Sequence, residues 1–140
     1  MSHFTEQEIA YLRGQRLGRL ATVNAQGEPH LTAVGFIYNP ELDTIDIGGR
    51  RGGFGTSKKF RDAQANDKVA FIVDDVLTGE DGKSWQPRTL EIRGRAEAHA
   101  TGGEQLQQGF DPAFIRIFPA RIVSFGINEA SYKPDSRSIS

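Results

Sequence analysis

Leu17-Gly-Arg-Leu-Ala-Thr-Val23, Asn24-Ala-Gln-Gly-Glu28 and Pro29-His-Leu-Thr-Ala-Val-Gly-Phe-Ile-Tyr38 follow one another without interruption, and their order decides the fold. The first part sets Leu17, Leu20, Ala21 and Val23 along a strand, the second gathers turn-forming residues, and the third is rich in β-branched and aromatic side chains. Together they spell a hairpin. Beyond it, Asn39-Pro40-Glu41 makes a second turn, and Thr44-Ile45-Asp46-Ile47 alternates with the period of two expected of a strand with one buried face. Before it, Thr5 and Glu8 read as a capping box opening a short helix, with Ile9, Ala10, Leu12 and Leu17 as its apolar stripe and Gly14 as its end.

Further along, Thr56 or Ser57 caps a second helix that runs through Ala65, where only Phe60 and Ala63 can reach a core. Lys68–Val73 reads as a buried strand. Asp74–Pro87 is a polar loop holding the only tryptophan, Trp85. Arg88–His99 turns Leu90, Ile92, Gly94, Ala96 and Ala98 one way and Glu91, Arg93, Arg95 and Glu97 the other, a long amphipathic strand. Thr101–Asp111 is a connection with a short helical turn, Pro112–Phe118 leads through Pro119 into a final strand at Arg121–Ile127, and the tail from Asn128 is polar and loose. With a single helix between strands, a doubly wound parallel sheet is excluded. The expectation is one domain over residues 1–140, mainly β, built as a six-stranded antiparallel barrel with short flanking helices and closed so that no sheet edge is left open.

Composition narrows the function. Lys plus Arg number 17 against 18 Asp plus Glu, so no global charge recruits nucleic acid or an anionic membrane. The absence of cysteine excludes a disulfide framework, a thiolate nucleophile and an iron–sulfur cluster, and three scattered histidines argue against a metal site. The N-terminal residues lack the basic-then-apolar pattern of a signal peptide, and no run reaches the roughly 20 apolar residues of a membrane span. The expected location is the cytoplasm.

Against this balance, Gly48–Arg61 stands out. No acidic residue occurs between Asp46 and Asp62, while Arg50, Arg51, Lys58, Lys59 and Arg61 are interleaved with Gly48, Gly49, Gly52, Gly53 and Gly55. Glycines after a strand let backbone approach a ligand, Thr56 and Ser57 offer hydroxyls, and a helix start offers unpaired N–H groups. This is an anion site, although it lacks the P-loop pattern.

The ordered set Leu17-Gly-Arg-Leu-Ala-Thr-Val, Val34-Gly-Phe, Ile47-Gly-Gly, Ser57-Lys-Lys-Phe with Ala65-Asn-Asp-Lys-Val-Ala-Phe, and Glu91-Ile-Arg-Gly-Arg-Ala-Glu with Ile122-Val-Ser-Phe-Gly-Ile resembles the pyridoxamine 5′-phosphate oxidase-like split-barrel superfamily. Pro87-Arg88 and the last two motifs resemble its branch that uses the deazaflavin coenzyme F420. The resemblance implies a homodimeric oxidoreductase of the FMN-binding split-barrel type, with cofactor sites at the subunit interface and a small organic molecule as substrate. The cofactor is F420, or FMN as the alternative; non-catalytic binding of a flavin, deazaflavin or haem-like ligand is the rival reading. Lys59 matches the cofactor-phosphate lysine, with Thr56, Ser57 and Lys58 beside it. Thr32, Ala33 and Val34, with Ile47, Gly48 and Gly49, would lie along the ring, and Trp85, Pro87 and Arg88 would close the site from the other subunit. Two departures stand out: Asn66-Asp67-Lys68-Val69 replaces the usual Asp-Pro-Arg-Val, and the chain ends Ser131-Tyr-Lys-Pro-Asp-Ser-Arg-Ser-Ile-Ser instead of in an Arg-rich segment. The second argues against vitamin B6 oxidation.

Other residues have plainer readings. His30 is structural or exposed, with a cofactor-facing role as the alternative; His99 faces solvent and His3 lies in a mobile terminus. Trp85 must bury against something, the dimer interface first. Arg93 and Arg95 form exposed cross-strand pairs with Glu91 and Glu97. The cofactor supplies the chemistry, so no catalytic residue is designated; Tyr38 or Tyr132 could protonate a product.

Overall fold

The computed structural model describes residues 1–129 and 133–139. It contains helices α1 (Glu6–Gly14) and α2 (Lys58–Ala65) and eight strands: β1 (Leu17–Val23), β2 (Pro29–Gly35), β3 (Ile37–Asn39), β4 (Thr44–Ile47), β5 (Lys68–Thr78), β6 (Trp85–His99), β7 (Phe114–Phe125) and β8 (Asp135–Ser138). All eight join one antiparallel sheet in the order β2-β1-β5-β6-β7-β4-β3, with β8 added to β7. The expected six strands become eight because one run divides and the tail adds a strand, and two of the expected strands are longer than read.

First, the run Pro29–Tyr38 is two strands. β2 pairs with β1, β3 pairs with β4, and these lie at opposite ends of the sheet. Only Phe36 separates them in the chain, so the sheet curls until its two ends approach each other there, but they do not pair: in place of the closed barrel expected, the sheet is a half-barrel whose end strands β2 and β3 each keep one open edge. Phe36 sits edge-on to Phe71 inside the joint, ring centroids 5.2 Å apart. Side-chain pattern alone does not reveal this corner, because both halves suit a strand.

Second, the polar segment Asp74–Pro87 is no loop. β5 runs on to Thr78 and β6 begins at Trp85, forming a two-stranded arm that extends past the core. Its tip is held by Asp81, which accepts bonds from the Lys83 and Ser84 amides at 2.9 and 2.8 Å. Third, the tail is anchored rather than loose. β8 pairs with β7, and Arg137 bonds to the fully buried Glu8 in α1.

β7 also passes unbroken through Pro119, which faces Gly94 where the β6–β7 register shifts. The bulge absorbs the missing N–H of proline, and a side chain at Gly94 would lie 2.2 Å from the Phe118 carbonyl oxygen. The capping box of α1 forms as read, with Thr5 accepting from Glu8 N and Glu8 accepting from Thr5 N. Leu20, Ile45, Ile47, Phe71, Leu90, Ile92, Ile115 and Ile117 fill the inside of the curl at no more than 1% exposure.

Candidate functional site

α2 begins at Ser57, whose hydroxyl oxygen accepts from Phe60 N at 3.4 Å and whose hydroxyl donates to the Phe54 carbonyl at 2.6 Å. The amides of Lys58 and Lys59 have no helical carbonyl to meet. Phe60 and Ala63 are buried as expected, and so is Asp62. Asp62 accepts from the buried Thr22 hydroxyl at 2.9 Å and from Lys58 Nζ at 3.2 Å. Burial raises its pKa, but these two partners outweigh that and hold it below the usual carboxylate value. The cluster fixes α2 on β1 and spends the charge of Lys58.

Lys59 is different. Its Nζ stands 4.8 Å from the centroid of the Phe54 ring, and it has no acidic partner among the described residues. Loss of water around it lowers its pKa. A half-buried ammonium without a counter-ion, beside the free amides of a helix start, is suited to an anionic ligand.

The glycines beside it do other work than the sequence implied. Added side chains at Gly48 and Gly49 would lie 2.5 Å from the Phe110 ring and 2.9 Å from the Phe54 ring, so both glycines make room for aromatic packing. The loop amides already hold an anion: Asp111 accepts from Gly52 N at 3.0 Å and from Gly55 N and Ala113 N at 3.3 Å each. The Thr56 hydroxyl donates to the Gly53 carbonyl at 3.3 Å. Of the anion site expected over Gly48–Arg61, the donors left unengaged within the loop and helix, its exposed arginines aside, are Lys59 and the first turn of α2. Nothing near Gly48–Arg61 in sequence signals Asp111.

Ile47, Gly48 and Gly49 lead directly into this loop. Ile47 and Val34 are buried in the core, so only their backbone could meet a ligand. Thr32, Ala33 and Val34 lie on β2, one end of the sheet, tied to the α2 region through Thr22, which pairs with His30 and bonds to Asp62. His30 Nδ1 is buried there without a hydrogen-bond partner.

Trp85, Pro87 and Arg88 are elsewhere. α2 packs against β6 near Ala96, whose amide donates to Asp67 just beyond the helix. Arg88 lies eight positions away along the same strand, roughly 25 Å at the rise of an extended chain. One protomer does not bring these residues to Lys59. Arg88 is also engaged: Nε and Nη2 grip both Asp75 oxygens at 2.9 and 2.5 Å, and the guanidinium stacks 4.8 Å from the Tyr11 ring centroid. Trp85 is 65% exposed.

Other expectations change. Tyr38 donates to Asp43 at 2.7 Å and packs edge-on to Phe4, while Tyr132 lies outside the described residues. His99 stacks on Phe114 at 4.6 Å and bonds to Glu97 while its side chain stays partly exposed to solvent. His3 is held at its backbone by Asp43 and Arg137. Arg93 and Arg95 pair along their strand with Glu91 and Glu97, not across it.

A family model described as pyridoxamine 5′-phosphate oxidase matches residues 4–139. A curated protein of Streptomyces rimosus, described as a 5a,11a-dehydrotetracycline/5a,11a-dehydrooxytetracycline reductase, is 47% identical over 124 residues, 89% of this chain and 84% of that one. The fold is similar to that of General Stress Protein 26 from Bacillus anthracis, with TM-score 0.65 and 18% identity over 96% of this chain and 97% of that one. It is also similar to an FAD binding protein from Mycobacterium smegmatis, with TM-score 0.63 and 19% identity over 89% of this chain and 97% of that one.

Proposed function

The chain belongs to the pyridoxamine 5′-phosphate oxidase family, and from that membership we propose that it is an oxidoreductase that binds coenzyme F420 and reduces a small organic substrate. The observation that carries the reading is Lys59, half-buried, without a counter-ion among the described residues and next to free helix amides. This donor set fits a phosphate. When bound, the deazaflavin supplies hydride to an electron-poor double bond.

The protein's part is positioning. Lys59 and the α2 amides hold the phosphate, Asp62 and Thr22 fix the helix that carries them, and the backbone of Thr32–Val34 and Ile47–Gly49 borders the ring. The 47% identical reductase supports a reductive direction and a double bond in a polycyclic substrate. Vitamin B6 oxidation is disfavoured, because the arginine of the described tail, Arg137, is spent on Glu8. The distance from Lys59 to the arm supports a homodimer, in which the arm of one protomer completes the site of the other.

Titration with F420 and with FMN tests this. Binding of F420 tighter than FMN is expected, and the reverse order transfers the site to FMN. Lys59→Ala removes a charge-assisted hydrogen bond worth roughly 1.5–3 kcal/mol, a weakening of about 10- to 100-fold. An unchanged dissociation constant overturns the assignment.

A further inference from the structure

The inner face of the β5–β6 ribbon leaves the core at a definite point. Phe71, Val73, Leu90 and Ile92 are buried at no more than 1% exposure, and the next pair outward is the Asp75–Arg88 ion pair. The pair after that, Leu77 opposite Gln86, hangs beyond the barrel mouth, with Leu77 46% exposed. Facing it across a cleft of about 500 Å³ are Gln7 and Tyr11 of α1 and Glu129 beyond β7. Gly126 forms part of the floor with φ +73°, and a side chain there would lie 2.5 Å from the Pro87 carbonyl oxygen, so the close approach of β7 to the arm depends on glycine.

The chemistry of this cleft is unlike that of the Lys59 site. Asp75 neutralises Arg88, whose guanidinium still has N–H groups to spare. The side chains of Gln7, Gln86 and Glu129 have no polar partner among the described residues. Leu77, Ala10 and Ile127 provide hydrocarbon wall. A phosphate is disfavoured because Glu129 adds negative charge and Arg88, the one cation among the described residues lining the cleft, is already paired. A ring system with an oxygen- or amide-bearing edge is favoured, and the volume falls in the range that holds a drug-sized molecule.

We infer that this cleft between α1 and the arm is the substrate-binding site and takes an oxygenated polycyclic molecule without net negative charge. Gln86 and Leu77 grip its polar edge and its hydrocarbon body. The inference rests on the oxidoreductase reading above, and it moves Arg88 from the cofactor to the substrate. Tyr11 is a positioning residue: its hydroxyl donates to Asp75 at 3.0 Å and holds the Arg88 plane in place.

The test uses 5a,11a-dehydrooxytetracycline as the probe, with binding measured by calorimetry without reductant and turnover measured with reduced F420. Gln86→Met and Leu77→Asp are expected to weaken probe binding at least fivefold while the F420 dissociation constant stays within twofold. Circular dichroism of each variant establishes that it is folded. Probe binding that ignores both substitutions, or no probe binding at all, overturns the cleft. Binding that depends on Gln86 without turnover leaves the cleft standing and overturns the reductase reading; turnover with a KM indifferent to both substitutions does the reverse.

Discussion

Asp111 and Lys59 divide the labour of anion handling between them. The glycine loop presents amides in the concave array that commonly binds phosphate, yet Asp111 fills it from within the chain. The hydrogen bonds from Gly52, first among them, hold the Asp111 carboxyl below its usual range, so the contact persists well into acid. Among the described residues Arg50, Arg51 and Arg61 are exposed, and Lys59 is left as the half-buried cation of the segment without an ion pair. Asp111→Ala should loosen the loop that carries Thr56–Lys59, lowering the melting temperature by a few degrees and weakening cofactor binding several-fold in titration. If Asp111 were only a surface carboxylate, both values would stay at wild type. The cationic segment was legible in the sequence because a run of cations without acids is a local signal, and the family resemblance, not the run, singled out Lys59 within it. Asp111 was not legible, since it stands more than fifty residues from Gly52 and Gly55, whose amides it holds.

At the scale of elements, local grammar was readable and long-range pairing was not. The capping box at Thr5 and Glu8, the hairpin from Leu17 and the start of α2 at Ser57 all depend on residues close in sequence. The corner at Phe36 depends on which partner each half-strand finds, and the arm was masked by polar side chains that pair without needing burial. β8 was hidden because its anchor is Glu8, at the other end of the chain. Burial raises the Glu8 pKa, but bonds from Arg137, Thr5 and Asn128 more than compensate, and it ends below its usual value. Arg137→Ala should therefore leave a buried carboxylate without its counter-charge, held only by the Thr5 and Asn128 bonds, and cost about 3–5 kcal/mol in denaturant unfolding. The sign with pH follows: the unfolded carboxylate takes up a proton at higher pH, so the contribution of Glu8 is full above its ordinary value of 4.5 and is lost as pH falls through the lowered folded value. Glu8→Gln should flatten that acid slope, and an unaltered slope would assign acid lability to other carboxylates such as Asp75.

Viewed whole, the molecule has apolar side chains on both faces of one half of its sheet. Leu17, Leu31, Val76 and Trp85 are 55%, 67%, 54% and 65% exposed, and the strand registers set Leu31 beside Ala21, Ala21 beside Ala70, and Val76 beside Pro87 on the outer surface. A sheet whose other face already packs a core would ordinarily turn polar residues outward. The exposed Arg19–Asp74 ion pair divides this surface into an apolar cluster on β2, β1 and β5 and another on the arm. Exposed apolar clusters of this kind favour contact with another molecule, and the split between the arm and Lys59 favours a second protomer. A symmetric dimer needs the same patch on both copies, which a face crossing from β2 to the arm supplies. Light scattering should give twice the 15.4 kDa chain mass for the wild type, and Leu31→Asp, placing a charge among the apolar side chains at the β2 end of the face, should shift it toward 15.4 kDa. If the site needs both copies, the same variant should lose cofactor affinity in step with the loss of dimer while keeping its β-sheet spectrum. A monomeric wild type that binds cofactor at full strength would remove the second protomer from the site.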